Sequence, residues 1–193
     1  KEAPAIAEQN PFLAFVQFSN PHDMMFFDAT GRNEETRVKK GFIGDMLPAP
    51  DAWPYTDKLD YPLPASFDDG LDTKPDAHIA FMQDTNYVHG PIPHEDRDAW
   101  QLARNYYYNC TRDMDQQLGK VLDGLEASGL ADNTIILFTS DHGEMSTAHG
   151  MWQKGPLIYK ENLGVPLIIS HPDIDGGAET TSLSCALDLV PTI

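Results

Sequence analysis

Hydrophobic side chains follow two different patterns along this chain. Three nearly continuous apolar runs, at residues 12–18 (FLAFVQF), 134–139 (TIILFT) and 165–170 (VPLIIS), are typical of buried strands. Residues 95–128 instead repeat apolar side chains in steps of three and four, which is the period of an amphipathic helix. The repeating positions are Trp100, Ala103, Tyr107, Cys110, Met114, Leu118, Val121 and Leu125. Gly129 follows at the position expected for a helix C-cap.

Short apolar strands separated by a long helix predict an α/β fold with helices on both faces of the sheet. A chain of 193 residues fits one hydrophobic core, so we predict a single domain over residues 1–193. Residues 45–90 are rich in proline and hold several aromatic side chains. This composition predicts an irregular loop within the domain that is ordered by its aromatic residues.

The charge balance restricts the classes of partner. The chain has 30 acidic and 13 basic residues and a formal net charge of -17. This argues against nucleic acid or an anionic membrane as the main partner, because both attract basic surfaces. A small anionic substrate stays compatible, because a metal ion and a few cations can reverse the field inside one pocket. No apolar run approaches the roughly twenty residues of a membrane span.

The two cysteines, Cys110 and Cys185, have no short metal-ligand spacing. Cys110 falls within the helical pattern, where we expect it to be a small buried hydrophobic residue. Whether the two residues form a disulfide depends on their positions in space, so the cellular compartment stays open.

Polar residues cluster directly after the second apolar run, in residues 140–155 (SDHGEMSTAHGMWQKG). In open α/β sheets, ligands bind beyond the carboxyl ends of the strands, which is where Asp141 and His142 lie. Gly143 lets the backbone pass close to a ligand. These two side chains could bind one divalent ion, or Asp141 could cap the next segment beside a solvated His142. The spacing alone favours neither interpretation, and the histidines lack the spacing of a helical zinc motif.

The run NTIILFTSDHGEMSTAHGMWQKGPLIYKENLGVPLII resembles the metal-binding segment of the sulfatases, in the alkaline phosphatase superfamily. The matching positions are Asp141, His142, Gly143, Lys154, Glu161 and residues 165–169. The resemblance extends to FVQFSNPHD, which is similar to a family strand ending in Pro-His, to the helix segment RDMDQQLGKVLDGLEASGLADNT, and to LDLVPTI. The fold that it implies is alkaline phosphatase-like.

This resemblance implies a role for each matching residue. Asp141 and His142 would be ligands of a divalent cation, most commonly Ca²⁺ in this family, with Mg²⁺ or Mn²⁺ also compatible with an imidazole ligand. Lys154 would bind a sulfate oxygen and neutralise charge that develops during S–O cleavage. His22 would lie at the leaving-group oxygen as a hydrogen-bond donor or general acid. Without the resemblance, Lys154 would be a solvated cation and His22 a histidine bonded within a turn.

Other histidines and aromatic residues have weaker expected roles. His149 could bind the substrate or shape the rim of the pocket, and its spacing does not decide between these. His89 and His94 flank a PIP segment and are expected to be ordinary exposed residues. Three consecutive tyrosines, residues 106–108, are expected to belong to the core and the rim of the helix.

The family's nucleophile motif is absent from this sequence. Sulfatases oxidise a Cys or Ser in Cys/Ser-x-Pro-x-Arg to formylglycine, and neither CTRDM at Cys110 nor CALDL at Cys185 fits, nor does any serine. The paired N-terminal aspartates are missing as well. We therefore expect a fragment of a longer enzyme that is inactive alone, and that self-associates through exposed strand edges.

Two alternatives stay open beside a sulfatase acting on a small sulfated substrate. One is a phosphate or phosphonate ester hydrolase of the same superfamily, and the other is a non-catalytic metal-binding module. The particular ester and the oligomeric state are left undetermined. The compartment is also unknown, although a periplasmic or secreted parent protein is compatible with the sequence.

Overall fold

The computed structural model describes residues 11–42 and 44–193. Its helices are α1 (Asn33–Thr36), α2 (Asp76–His89), α3 (Arg97–Ala127), α4 (Lys160–Leu163) and α5 (Leu189–Thr192), and its strands are β1 (Ile136–Thr139) and β2 (Leu167–Ser170). Single 3-10 turns occur at His22–Phe26, Ala131–Asn133, Ala148–Gly150 and Ala186–Asp188. The single-domain prediction includes residues 1–10, which lie outside the described part.

The long helix is confirmed as α3. Its first turn is capped by Asp96, whose side chain accepts a hydrogen bond from the backbone N–H of Ala99 at 3.1 Å. Gly129 follows the helix with a φ of +74°, a conformation that glycine adopts without strain. The fully buried side chains belong to the first half, up to Cys110, whereas the second half has only partly buried or exposed residues. The helix is therefore attached to the core by its first half.

Both predicted strands after α3 exist, and they pair with each other in antiparallel register. Ile136 lies opposite Ser170, and Thr139 lies opposite Leu167. The expected burial is wrong for β2, in which all four residues are exposed. None of the described helices packs extensively on this two-stranded sheet, in which three residues of β1 are half-buried and β2 is exposed. A sheet with helices on both faces stays a prediction.

The predicted buried strand at residues 12–18 is not observed. These residues have no regular hydrogen bonding, and Phe15 and Val16 are 77% and 56% exposed. A strand needs a neighbour to satisfy its backbone groups, and residues 11–42 and 44–193 provide no strand paired with this segment.

The proline-rich segment is only partly irregular. Residues 45–75 form turns and extended chain, as predicted, and Phe67 within them is just 1% exposed. The prediction is wrong for residues 76–89, which form α2. This stretch contains neither proline nor glycine, and it lies between Pro75 and Gly90, whose φ of +87° ends the helix. The helix does not separate its apolar and polar side chains clearly onto two faces, so the sequence shows no helical period there.

The main core forms around the first half of α3. Tyr106 stacks on Phe27 with ring centroids 4.2 Å apart, and Trp100 meets the edge of Phe67 at 5.5 Å. Trp152, which follows β1 in the sequence, belongs to the same cluster. A second, smaller cluster contains Met145, Ala148, Met151 and Leu157. The core thus brings together the Pro-His segment, the proline-rich segment and the polar run that follows β1.

Both cysteines are free, and Cys110 is completely buried as predicted. The tyrosine prediction is also confirmed, because Tyr106 is buried while Tyr107 and Tyr108 are half-buried. Among the helices of residues 11–42 and 44–193, none combines the length and apolar character needed to cross a membrane.

Candidate active site

Asp141 and His142 form a pair directly after β1. The Asp141 carboxylate accepts hydrogen bonds from the backbone N–H of His142 at 3.0 Å and from Ser140 Oγ at 3.3 Å. Burial raises the pKa of Asp141, but the neighbouring His142 and these hydrogen bonds outweigh it, so the net shift is downward. The carboxylate is 82% exposed, and it is therefore an ionised and accessible oxygen donor.

The imidazole of His142 has the orientation that a metal ligand needs. Its Nδ1–H donates to the backbone carbonyl of Gly143 at 2.8 Å, an orientation in which Nε2 is the ring nitrogen directed away from this bond. This Nε2 lies 3.4 Å from Asp141 Oδ2, so one nitrogen and one oxygen donor face the same space. The two residues fit two positions around a divalent cation. Among the described residues, no cluster of three or more such side chains completes the set.

The loop after His142 is attached to the backbone around α4. Gly143 N–H donates to Asn162 O at 2.7 Å, and Glu144 N–H donates to Glu161 O at 2.9 Å. A Cβ atom at Gly143 would collide with the Glu161 carbonyl oxygen. Glycine is required here for close backbone approach rather than for an unusual dihedral angle. The contact fixes the direction in which the Asp141–His142 pair leaves β1.

Gly143→Ala is therefore expected to destabilise the protein by about 2 kcal/mol, because neither backbone segment can move without breaking its hydrogen bonds. Gly119→Ala is a matched control in α3, where the added Cβ meets no atom within 4 Å. That variant should gain roughly 0.5–1 kcal/mol of stability. Urea unfolding measures both, and equal midpoints for the two variants would contradict the argument.

Lys154 lies near the same pair. Its side chain is half-buried, and burial lowers its pKa, while the carboxylates of Glu144, Asp141 and Asp23 oppose this shift. Asp141 and Asp23 are thus among the carboxylates whose charge acts on the Lys154 ammonium. The predicted contact of Lys154 with a sulfate oxygen stays a prediction.

Glu144 is a second charged residue near Lys154, and it was not predicted from the sequence. Burial raises its pKa to about 7, although the Ser146 backbone N–H and Lys154 favour the ionised form. Its carboxyl group and the Lys154 ammonium lie at the two ends of a loop that closes through Met145 N–H to Gln153 O at 3.2 Å. The acid within DHGE was the available signal for this residue.

His22 lies at the start of the His22–Phe26 turn, where its side chain is 48% exposed. Its Nδ1 lies 3.8 Å from Asp23 Oδ1, and its ring tilts against Phe26 at 5.7 Å. Asp23, like Glu144 and Asp141, is one of the carboxylates whose charge acts on Lys154. The predicted role of His22 at a leaving group stays a prediction.

His149 has a different set of contacts from Lys154. It lies in the middle of the loop, its Nδ1–H donates to Asp69 at 2.8 Å, and its ring lies 4.3 Å from that of Tyr159. Only 13% of its side chain is exposed. These contacts favour a role in shaping the rim over direct contact with an anion at Lys154, and substrate binding by His149 stays a prediction.

The expectation that His89 is exposed is wrong, whereas His94 is exposed as expected. His89 is 6% exposed, and burial lowers its pKa to about 4, so its imidazole is neutral near pH 7. It occupies the last turn of α2, with its ring edge against Trp152 at 5.8 Å. His94 pairs with Asp68 at 3.1 Å and stacks on Phe67. The burial of His89 could not be predicted from its neighbours in the sequence, because Trp152, which covers it, is remote along the chain.

Comparison with known proteins identifies the class. The sulfatase family model matches residues 2–193, and the chain belongs to the sulfatase family. An ulvan-active sulfatase of Formosa agariphila is 30% identical over 192 residues, which cover 96% of this chain and 28% of that protein. The uncharacterized sulfatase YidJ of Escherichia coli is 32% identical over 133 residues, covering 69% of this chain and 25% of its own.

Arylsulfatase K of Xenopus laevis is 34% identical over 90 residues, which cover 47% of this chain and 17% of that protein. The matched parts therefore make up between 17% and 28% of the lengths of these three relatives. Membership of the family is consistent with the alkaline phosphatase-like α/β class that the sequence predicts.

Proposed function

We propose that this chain is part of a longer sulfuric ester hydrolase and supplies part of its metal-binding and sulfate-binding site. The observation that carries the proposal is the Asp141–His142 pair at the end of β1, in which Nε2 and Oδ2 lie 3.4 Å apart, followed by a largely buried loop that leads to the half-buried Lys154. An oxygen donor, an imidazole nitrogen and a half-buried ammonium can together hold a divalent cation and a tetrahedral anion.

Each residue has a distinct task in this proposal. Asp141 and His142 hold two positions of a divalent cation, most commonly Ca²⁺ in the family, with Mg²⁺ or Mn²⁺ as alternatives, and this cation would polarise the sulfate group. Lys154 binds a sulfate oxygen and neutralises negative charge as the S–O bond breaks. His22 donates a hydrogen bond or a proton to the leaving oxygen. The arrangement requires the covered α/β sheet of the family to keep these loops together.

The nucleophile must come from another part of the protein, because no Cys/Ser-x-Pro-x-Arg motif for formylglycine occurs among the 193 residues. The isolated chain is accordingly inactive in this proposal. Its exposed apolar residues in β2 and in residues 12–16 also favour self-association of the isolated chain.

The test uses the full-length protein that contains this chain, with an aryl sulfate and the matching aryl phosphate assayed side by side. We expect faster turnover of the sulfate, loss of activity on chelation, and recovery with Ca²⁺. Asp141→Asn should raise the Ca²⁺ concentration needed for half-maximal activity by about 10-fold or more, because a ligand charge is removed. Asp115→Asn, at an exposed position on α3, is the matched control.

Other outcomes select the alternatives. Faster turnover of the phosphate would favour a phosphate or phosphonate ester hydrolase. Metal binding through Asp141 without hydrolysis of either ester would favour a non-catalytic metal-binding module. Turnover of the aryl sulfate by the isolated 193 residues would refute the division of the site between two parts of the protein.

A further inference from the structure

Backbone strain is concentrated in the loop before Lys154. In the described part of the chain, the non-glycine residues with positive φ are Ser146 (43°), Thr147 (75°), His149 (56°) and Gln153 (76°). All of them fall within residues 146–153, which we call the strained loop. Thr147 is the costliest, because a β-branched residue rarely adopts this conformation. Such outliers persist only where surrounding contacts enforce them, and they often occur at functional sites.

The interior of the strained loop is buried. Thr147, Ala148 and Met151 are at most 2% exposed, and Gln153 is 4% exposed. Short backbone hydrogen bonds, such as Ala148 N–H to Met145 O at 2.8 Å, fold the loop on itself. Local bonds of this kind also form in relaxed turns, so they do not explain why the strained conformation is kept. The cause must be sought in contacts from outside the loop.

Arg104, on the buried half of α3, makes the first outside contact. Its guanidinium donates to Ser146 O at 3.0 Å and to Thr147 Oγ1 at 3.3 Å, and thus holds two strained residues at once. A third hydrogen bond, to Tyr108 OH at 3.0 Å, fixes the guanidinium itself. The planar fork of arginine suits this geometry, which a single ammonium group could not reproduce.

Asp69, in the proline-rich segment, makes the second outside contact. It accepts a hydrogen bond from His149 Nδ1 at 2.8 Å, while Lys74 Nζ lies 3.2 Å from the same carboxylate. The backbone N–H of His149 also donates to Ser66 O at 3.0 Å. The strained loop is therefore held at its start by Arg104 and at its middle by Asp69, and its last residue precedes Lys154.

We propose that Arg104 and Asp69 are positioning residues, which hold the strained loop in its left-handed conformation and thereby set the place of the Lys154 ammonium. The inference rests on the proposed role of Lys154 in binding the anion. Neither residue contacts Lys154. They act by preventing relaxation of a backbone that would otherwise move the ammonium away from the Asp141–His142 pair.

The experiment uses the full-length protein with Arg104→Met, Arg104→Lys and Asp69→Asn. Two matched controls break one ion pair that does not touch the strained loop, each from one side: Arg112→Met, two turns along α3, and Asp57→Asn, which removes the carboxylate partner of Arg112. One readout is amide hydrogen exchange, by mass spectrometry, in peptides from residues 146–153 and in peptides from α3. The other is kcat and KM on an aryl sulfate.

For Arg104→Met and Asp69→Asn we expect exchange in the strained loop to become about 10-fold faster, with exchange in the first half of α3 unchanged. We expect kcat/KM to fall by roughly 10- to 100-fold, because a displaced ammonium misses the anion. Arg104→Lys should retain part of both properties, and both controls should behave like the parent protein.

Faster exchange without any loss in kcat/KM would overturn the positioning role, as would unchanged exchange in both variants. If the parent protein hydrolyses no sulfate ester, the proposed function fails, but the exchange readout still decides whether Arg104 and Asp69 order the loop. A variant that also exchanges faster throughout α3 has lost its fold. In that case the comparison uses Arg104→Lys, and unchanged loop exchange and turnover in this variant overturn the proposal.

Discussion

Lys154→Ala should lower kcat for aryl sulfate hydrolysis in the proposed full-length enzyme by a factor on the order of 10² to 10³. The ammonium is half-buried, so its field on a bound sulfate is screened less than that of a surface cation. Its removal would leave the developing negative charge opposed by the cation alone. Steady-state kinetics with saturating Ca²⁺ separates this effect from metal binding.

Lys160→Ala is the matched control for that experiment. The Lys160 side chain is 89% exposed and makes only a weak pair with Glu161 at 3.8 Å, so its loss should change kcat by less than about 2-fold. If Lys154→Ala and Lys160→Ala retain similar activity, Lys154 does not bind the reacting group, and the site must be assigned to other residues.

Phe67→Ala should cost about 3–5 kcal/mol of unfolding free energy, the largest stability effect that we expect from a single substitution in this chain. Phe67 is 1% exposed, stacks on His94 at 4.7 Å, meets Trp100 at 5.5 Å and lies under the Arg97 guanidinium at 4.5 Å. Truncation would leave a cavity between the proline-rich segment and α3, which cannot close because both walls belong to regular or tightly packed chain.

Phe42→Ala removes the same side chain at a position that is 66% exposed, and it should change the unfolding free energy by less than about 1 kcal/mol. Urea unfolding with comparable m-values gives both numbers. A small effect of Phe67→Ala would mean that the loop it belongs to is not part of the cooperative core.

Periodicity predicted the elements whose signal is local. The 31 residues of α3 and the positions of both strands follow from spacing alone, and so does the glycine after the helix. Burial was harder to predict. An apolar run indicates that a strand can be covered, but the cover comes from residues far away along the chain. For this reason β2 and residues 12–18 were predicted to be buried, whereas β2 and residues 12–17 are exposed.

The residues of the candidate site likewise fall into those that the sequence could indicate and those that it could not. Asp141, His142 and Lys154 could be proposed as site residues from the sequence, because their residue types and spacing are local and resemble a family motif, and this assignment stays a prediction. Arg104 and Asp69 could not, since each meets the strained loop across more than 40 residues of chain, and no pattern in the sequence records such a contact. His89 was misjudged for the same reason, because Trp152 covers it from 63 residues further along.

The attachments of α3 have a consequence for how the molecule melts. Its first half holds Phe27 through Tyr106, the Asp57 carbonyl through Asn105 and Asn109, and the strained loop through Arg104. Segments that are remote in sequence therefore share one support and should lose their order at a single temperature, as one cooperative unit. Beyond Asp113, which accepts a hydrogen bond from Tyr55, the hydrogen bonds of the helix side chains stay within the helix, so this end should fray first and leave the candidate site in place.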